Sequence, residues 1–339
     1  MRVVIYVVLY LLTSVSLSHG ADSLMTLKRS CNSGVAKSCV ELGKVYDKGK
    51  DVEQNLKMAL KFYKKACVLG DTTGCTLTGL MHYYGRGTEK NDTKAEEYFK
   101  KACEGKGVKG CFMWAVLYLK EPSKEPAKKE EVLNRVRAFL KDRCGKKDKE
   151  ACFFAGGIER RLKNFKEAAQ LYQKACNMGH ASGCSTLGYL YASGSGVKKE
   201  PSVAIELFEK GCKMDDASGC FNLGLMRIEK KAGREDYSRS VEPFRKSCEL
   251  GMARGCFNLG VIYSLGRGVE QDHTMAKSFF EKACTLHDAE GCFNAGLMYL
   301  EGKEFDVPKA MGLLKRACAM GHKKGCDAYG KLKEEGLSD

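Results

Sequence analysis

Eighteen of the 339 residues are cysteines, and they fall into nine pairs whose members stand eight positions apart. The pairs are Cys31 with Cys39, Cys67 with Cys75, Cys103 with Cys111, Cys144 with Cys152, Cys176 with Cys184, Cys212 with Cys220, Cys248 with Cys256, Cys284 with Cys292 and Cys318 with Cys326. Thiols can bond to one another, hold a metal or act as nucleophiles, and the spacing discriminates among these. Zinc sites place cysteines about two to four residues apart and gather four ligands at one point. Here successive pairs begin 32 to 41 residues apart. A disulfide needs α-carbons within about 7 Å, whereas residues eight apart in one straight helix lie about 12 Å from each other. A bond within each pair therefore requires the chain to turn back between the two cysteines. Nine such bonds consume every thiol and leave none as a nucleophile.

So many disulfides need an oxidising compartment. The N-terminus agrees with export. Arg2 precedes an apolar run from Val3 to Leu17, and Ser18-His19-Gly20-Ala21 offers small residues for cleavage after Gly20. We read residues 1–20 as a secretory signal peptide and expect a secreted or periplasmic protein with no stable membrane span, because a span usually needs about 20 apolar residues. The formal charge is +15, which favours anionic partners. The lysines are dispersed through the whole chain and do not cluster with aromatics, so nucleic acid is not the expected partner. No cofactor or metal motif stands out; His82, His180, His273, His287 and His322 are scattered.

The cysteine pairs also set the phase of an internal repeat. Leu69-Gly70-Asp71, Met178-Gly179-His180 and Leu250-Gly251-Met252 place a glycine just past a helical run, as a helix C-cap does. Each pair is thus a helix–turn–helix corner. From Cys256 to Cys284, Phe257, Leu259, Gly260, Ile262 and Tyr263 read as a first helix. Gly266-Arg267-Gly268 breaks it, and Met275, Ala276, Phe279, Phe280 and Ala283 mark a second at 3/4 spacing. Glycine recurs four positions after the cysteine of the first helix, at Gly79, Gly188, Gly224, Gly260 and Gly296. With Ala95, Ala204, Ala276 and Ala310 it would let paired helices approach closely, and Tyr63, Phe99, Tyr172, Phe208, Phe244 and Phe280 would fill the wedge. The expected fold is an all-α solenoid of helical hairpins over 21–339. Its units lie near 39–67, 75–103, 111–144, 152–176, 184–212, 220–248, 256–284 and 292–318, with partial helices at both ends. Two units depart: 111–144 carries Leu119-Lys120-Glu121-Pro122 in place of the glycine loop, and 152–176 keeps only a tight turn at Lys163-Asn164-Phe165.

The segment LGYLYASGSGVKKEPSVAIELFEKGC at 187–212 resembles a Sel1-like repeat, a relative of the tetratricopeptide repeat. With the cysteine pair it resembles the Helicobacter cysteine-rich protein family, whose members are exported solenoids associated with β-lactamase activity and penicillin binding. The resemblance covers essentially all of 24–331. It implies a scaffold for protein, peptide or wall-derived ligands, or alternatively a β-lactam-binding protein with weak hydrolase activity. Serine β-lactamases use S-x-x-K, S-D-N and K-T-G elements. The chain has one S-x-x-K, Ser195-Gly196-Val197-Lys198, in a repeat loop, and neither of the others. His180 and His322 share a slot four after a cysteine and read as exposed turn residues. In tetratricopeptide-like clamps, asparagines on the first helix hold an extended peptide backbone. The matching position, two after the cysteine, is Glu41, Leu77, Met113, Phe154, Thr186, Asn222, Asn258 and Asn294. The resemblance therefore makes Asn222, Asn258 and Asn294 the candidate ligand site of a monomeric scaffold; the alternative is that each asparagine bonds a neighbouring repeat and orders the stack.

Overall fold

Every cysteine pair closes a corner between two helices. The structure, a computed structural model, describes residues 24–49, 52–120, 125–231, 234–301 and 305–337, so the expected signal segment 1–20 lies outside the described residues. The chain divides into two units, Met1–Lys163 and Asn164–Asp339. The first holds α1 (24–32), α2 (Ala36–Lys48), α3 (Leu56–Val68), α4 (Thr72–Tyr84), α5 (Asp92–Glu104), α6 (Val108–Lys120), α7 (Pro126–Gly145) and α8 (Lys149–Arg161). The second holds α9 (Phe165–Asn177), α10 (Ala181–Ser193), α11 (Pro201–Lys213) and α12 (Ala217–Met226), then β1 (Glu229–Lys231), β2 (Arg234–Asp236) and α13 (Val241–Glu249). It continues with α14 (Ala253–Leu265), α15 (His273–Thr285), α16 (Ala289–Leu300), α17 (Val307–Ala319) and α18 (Lys323–Glu334).

All nine expected pairs are disulfides, with α-carbons 4.3–4.7 Å apart. In the first unit Cys31 bonds Cys39, Cys67 bonds Cys75, Cys103 bonds Cys111 and Cys144 bonds Cys152. In the second, Cys176 bonds Cys184, Cys212 bonds Cys220, Cys248 bonds Cys256, Cys284 bonds Cys292 and Cys318 bonds Cys326. Each bond joins the end of an odd-numbered helix to the start of the next even-numbered one.

Between the cysteines the backbone makes the same turn every time. The residue three past the first cysteine is left-handed: Gly34, Gly70, Gly179, Gly251 and Gly321 at five corners, and Lys106, Lys147, Asp215 and His287 at the other four. The next N–H then reaches back to a carbonyl of the odd helix, as from Asp71 to Ala66 at 3.0 Å and from Asp288 to Ala283 at 3.0 Å. This is the Schellman closure of a helix end. The same residue opens the even helix: Asp71, Asp148, Asp216 and Asp288 each accept the N–H three positions on. One turn thus ends one helix and caps the next.

Even and odd helices pair into hairpins: α2 with α3, α4 with α5, α10 with α11, α12 with α13, α14 with α15 and α16 with α17. The glycine four past the cysteine lets them close. A Cβ on Gly79, Gly224 or Gly260 would lie 2.6 Å from the ring of Phe99, Phe244 or Phe280. Those rings are at most 3 % exposed, as is Phe208 beside Gly188. Ala95, Ala204, Ala276 and Ala310 are fully buried on the partner helices. The small-residue contacts and aromatic wedges expected from sequence are therefore present in both units.

Among the described residues one short ribbon interrupts the helical array, in the hairpin at 220–248. β1 and β2 run antiparallel, with Glu229 opposite Asp236 and Lys231 opposite Arg234. The even helices α2, α4, α10 and α14 end on a left-handed glycine, at Gly49, Gly85, Gly194 and Gly266. No glycine stands there in α12, whose last turn closes at Arg227 with φ −94°. That helix stops at 10 residues, α13 has 9, and the ribbon lies between them. The lengthened α7, 20 residues against the usual 13, is tied to α8 by a buried ion pair. Glu159 is fully buried and takes two bonds from Arg137, at 2.8 and 3.0 Å, with Lys141 at 3.2 Å.

Candidate functional site

The asparagine positions lie on three even helices of the second unit: Asn222 on α12, Asn258 on α14 and Asn294 on α16. The preceding phenylalanine packs on a neighbouring ring in each case. Phe221 meets Phe244 at 5.8 Å, Phe257 meets Phe280 at 5.6 Å and Phe293 meets His322 at 4.6 Å between centroids. One position on, the helix has rotated by about 100°, and the amides come to the surface. All three asparagines are half-buried.

Their hydrogen bonds separate the amides from the packing between repeats. Asn294 donates to the Glu290 carbonyl of its own helix at 2.8 Å. Among the described residues the Asn222 and Asn258 side chains have no hydrogen-bond partner. None of the three bonds a neighbouring repeat. The residue three further on shares the helix face and is apolar in each case: Leu225, Val261 and Leu297. Leu225, three past Asn222, is 43 % exposed, and Leu265, seven past Asn258, is 54 % exposed. Val261 and Leu297, three past Asn258 and Asn294, are half-buried. Each helix face therefore offers an amide beside an accessible aliphatic side chain. An amide carries a donor and an acceptor, the complement of one peptide unit.

His180 and His322 are not exposed turn residues. Both are half-buried helix N-caps, with Nδ1 accepting from Gly183 N at 3.1 Å and from Gly325 N at 2.9 Å. They stand in the slot that aspartate fills at other corners. Asp71, Asp148, Asp216 and Asp288 all lie four past a cysteine, and that shared position is the signal that reveals the capping role. His322 also places Nε2 3.1 Å from Glu290 Oε1. The Ser195 hydroxyl shares a hydrogen bond with Ser193 at 2.8 Å, and Lys198 is exposed. Among the described residues no group of three or more His, Cys, Asp or Glu is gathered as a metal site requires, and no helix is long and apolar enough to cross a membrane.

The Sel1 repeat model matches residues 36–71, 73–106, 150–180, 181–216, 253–288 and 289–322. No curated protein matches the chain. Among solved structures the chain is similar to a Sel1 repeat protein from Oxalobacter formigenes, with 19 % identity and a TM-score of 0.55, covering 94 % of this chain and 93 % of that one. It is also similar to c5321, a protective antigen of uropathogenic Escherichia coli displaying an SLR fold, with 24 % identity and a TM-score of 0.53, covering 91 % and 67 %. Helicobacter pylori cysteine rich protein B shares 27 % identity at a TM-score of 0.23, covering 51 % and 97 %. The nine disulfides suit an oxidising, extracytoplasmic environment. With six matched repeats spanning more than half of its length, the protein belongs to the Sel1 repeat family.

Proposed function

We propose that this protein is a secreted or periplasmic scaffold that captures extended peptide segments on the even-helix face of its second unit. The observation that carries this reading is the pair of surface amides at Asn222 and Asn258, which no hydrogen bond among the described residues uses. A solvated amide costs nothing in the free protein and gains two directed bonds when a peptide backbone lies along it. Leu225 and Leu265 supply apolar contact beside the amides. Repeat arrays commonly bind along such faces, and disulfide-stapled corners hold the face rigid, so little ordering entropy is lost on binding. Peptides or wall-derived ligands with exposed amide groups fit the same chemistry.

The test is a peptide array probed with oxidised wild-type protein, followed by binding isotherms for a selected sequence on the triple variant Asn222→Ala, Asn258→Ala, Asn294→Ala. The expected result is at least a tenfold loss of affinity, since each directed bond contributes about 1 kcal/mol. Unchanged affinity contradicts the proposal. The β-lactam reading that the family resemblance implies rests on no arrangement of side chains among the described residues. Nitrocefin turnover by the oxidised protein that is lost in Ser195→Ala would restore it.

A further inference from the structure

The first unit carries a cavity of a different character on its own even helices. It has a volume of about 520 Å³ and is lined by residues from α4, α6 and α8. That size falls within the ~300–1,000 Å³ usual for sites that take small ligands. Its floor is apolar: Phe112, Met113, Val116 and Leu119 come from α6. Tyr83 and Tyr84 close one side, their rings edge to face at 4.9 Å, with Tyr84 63 % exposed. The charged residues of its lining are Lys120 and Arg161, both cationic.

Both cations are held in place by neighbours. Lys120 Nζ donates to the Tyr83 hydroxyl at 2.9 Å and lies 5.0 Å from the centre of its ring. That hydrogen bond pushes the ammonium pKa up, so the charge persists throughout the neutral range. Arg161 donates to the Gly157 carbonyl at 3.1 Å, and its guanidinium lies 5.1 Å from the centre of the Phe112 ring. Gly157 itself makes room for that ring, because a Cβ there would stand 2.9 Å from it. An aromatic floor beside two oriented cations complements an apolar group that ends in an anion. The exposure of Tyr84 leaves the cavity open to the surface, so a chain can enter by its end.

We infer that this cavity is a second binding site, which receives the free C-terminus of a peptide, its last aromatic or large apolar side chain on the Phe112–Val116 floor and its carboxylate at Lys120 and Arg161. The asparagine face is not needed for this. On α6 the matching position is Met113, which offers apolar contact where α12, α14 and α16 offer amides.

The test is fluorescence polarisation with fluorescein-labelled Gly-Gly-Leu-Phe bearing a free carboxylate, on the oxidised full-length chain at low salt. The C-terminal amide of the same peptide should bind about tenfold more weakly, as should an acid peptide ending in glycine. Lys120→Gln and Arg161→Gln should each weaken the acid peptide by several-fold and leave the amide unchanged, whereas Arg161→Lys should retain part of the affinity. Both side chains are exposed, and unchanged circular dichroism would confirm folding. Asn222→Ala should have no effect. Equal binding of acid and amide, or no binding of the acid peptide at millimolar concentration, would each overturn the assignment.

Discussion

Gly260 of α14 lies directly against the ring of Phe280 in α15, so close that a Cβ on the glycine would stand 2.6 Å from the ring. The ring is 3 % exposed and cannot retreat without opening the hairpin. Gly260→Ala should therefore destabilise by ~1–3 kcal/mol, the usual result of overpacking a core. Gly312 stands inside α17, and a Cβ there would meet nothing within 4 Å. Gly312→Ala should stabilise by ~0.5–1 kcal/mol. Chemical denaturation of the two variants checks both signs.

Four corners place a side chain where the other five place glycine. Lys106, Lys147, Asp215 and His287 have φ between 61° and 65°, a region that costs a residue with a Cβ about 1 kcal/mol. Lys106→Gly and Lys147→Gly should each stabilise the fold by up to ~1 kcal/mol and raise the melting temperature. Gly251→Ala, at φ 87°, should lower it. Thermal melts of single variants decide the matter, and Lys147→Gly melting below wild type would contradict it.

His82 on α4 predicts a pH dependence. It is 2 % exposed and stacks on Tyr98 at 5.7 Å, and among the described residues neither ring nitrogen has a hydrogen-bond partner. Burial first, then Lys64 and Lys94, hold its pKa below the usual 6.5. As pH falls through 6.5 the unfolded chain takes up a proton that the folded chain refuses. Stability from this group is complete above that pH and is lost on acidification towards the depressed folded pKa, at up to ~1.4 kcal/mol per pH unit. His82→Phe keeps the stacking and removes the titration. Its melting temperature should fall less than that of wild type between pH 7 and pH 5, and parallel curves would refute the assignment.

The buried pair at Glu159 should respond asymmetrically. The carboxylate is fully buried, whereas the side chains of Arg137 and Lys141 are 29 % and 37 % exposed. Arg137→Ala leaves Lys141 to hold the buried charge, a loss towards the lower end of ~3–5 kcal/mol. Glu159→Gln removes that buried charge and leaves cations that water can reach, so it should cost less. Comparable losses in denaturation midpoint would show that the arginine packing matters more than its charge.

Much of this architecture is legible in the sequence because the cysteine spacing marks every corner, and a glycine such as Gly79, Gly224 or Gly260 marks a close approach of helices. The exceptions have physical causes. At Lys106 and Asp215 the turn geometry is imposed by the disulfide and the helices on either side, so local preference is overridden. His180 and His322 are caps, a role that histidine can fill only once the backbone presents Gly183 or Gly325 at the right distance. Glu159 follows Gly156-Gly157-Ile158 and precedes Arg160-Arg161, a context that reads as a solvated helix end. Its partners, Arg137 and Lys141, come from α7. The ribbon of β1 and β2 takes the place of the glycine-capped helix end that α10 and α14 have. The cavity over Phe112 gathers residues from three repeats, a convergence that no single repeat displays.

The most direct test of the central claim, that Asn222, Asn258 and Asn294 face a ligand and do not order the stack, is the melting temperature of the oxidised triple alanine variant. None of these amides bonds another repeat, and surface substitutions of this kind usually change stability by no more than ~0.5 kcal/mol. The variant should melt within a few degrees of wild type. A fall of ten degrees or more would place the amides in the framework and contradict their assignment to the peptide-binding face.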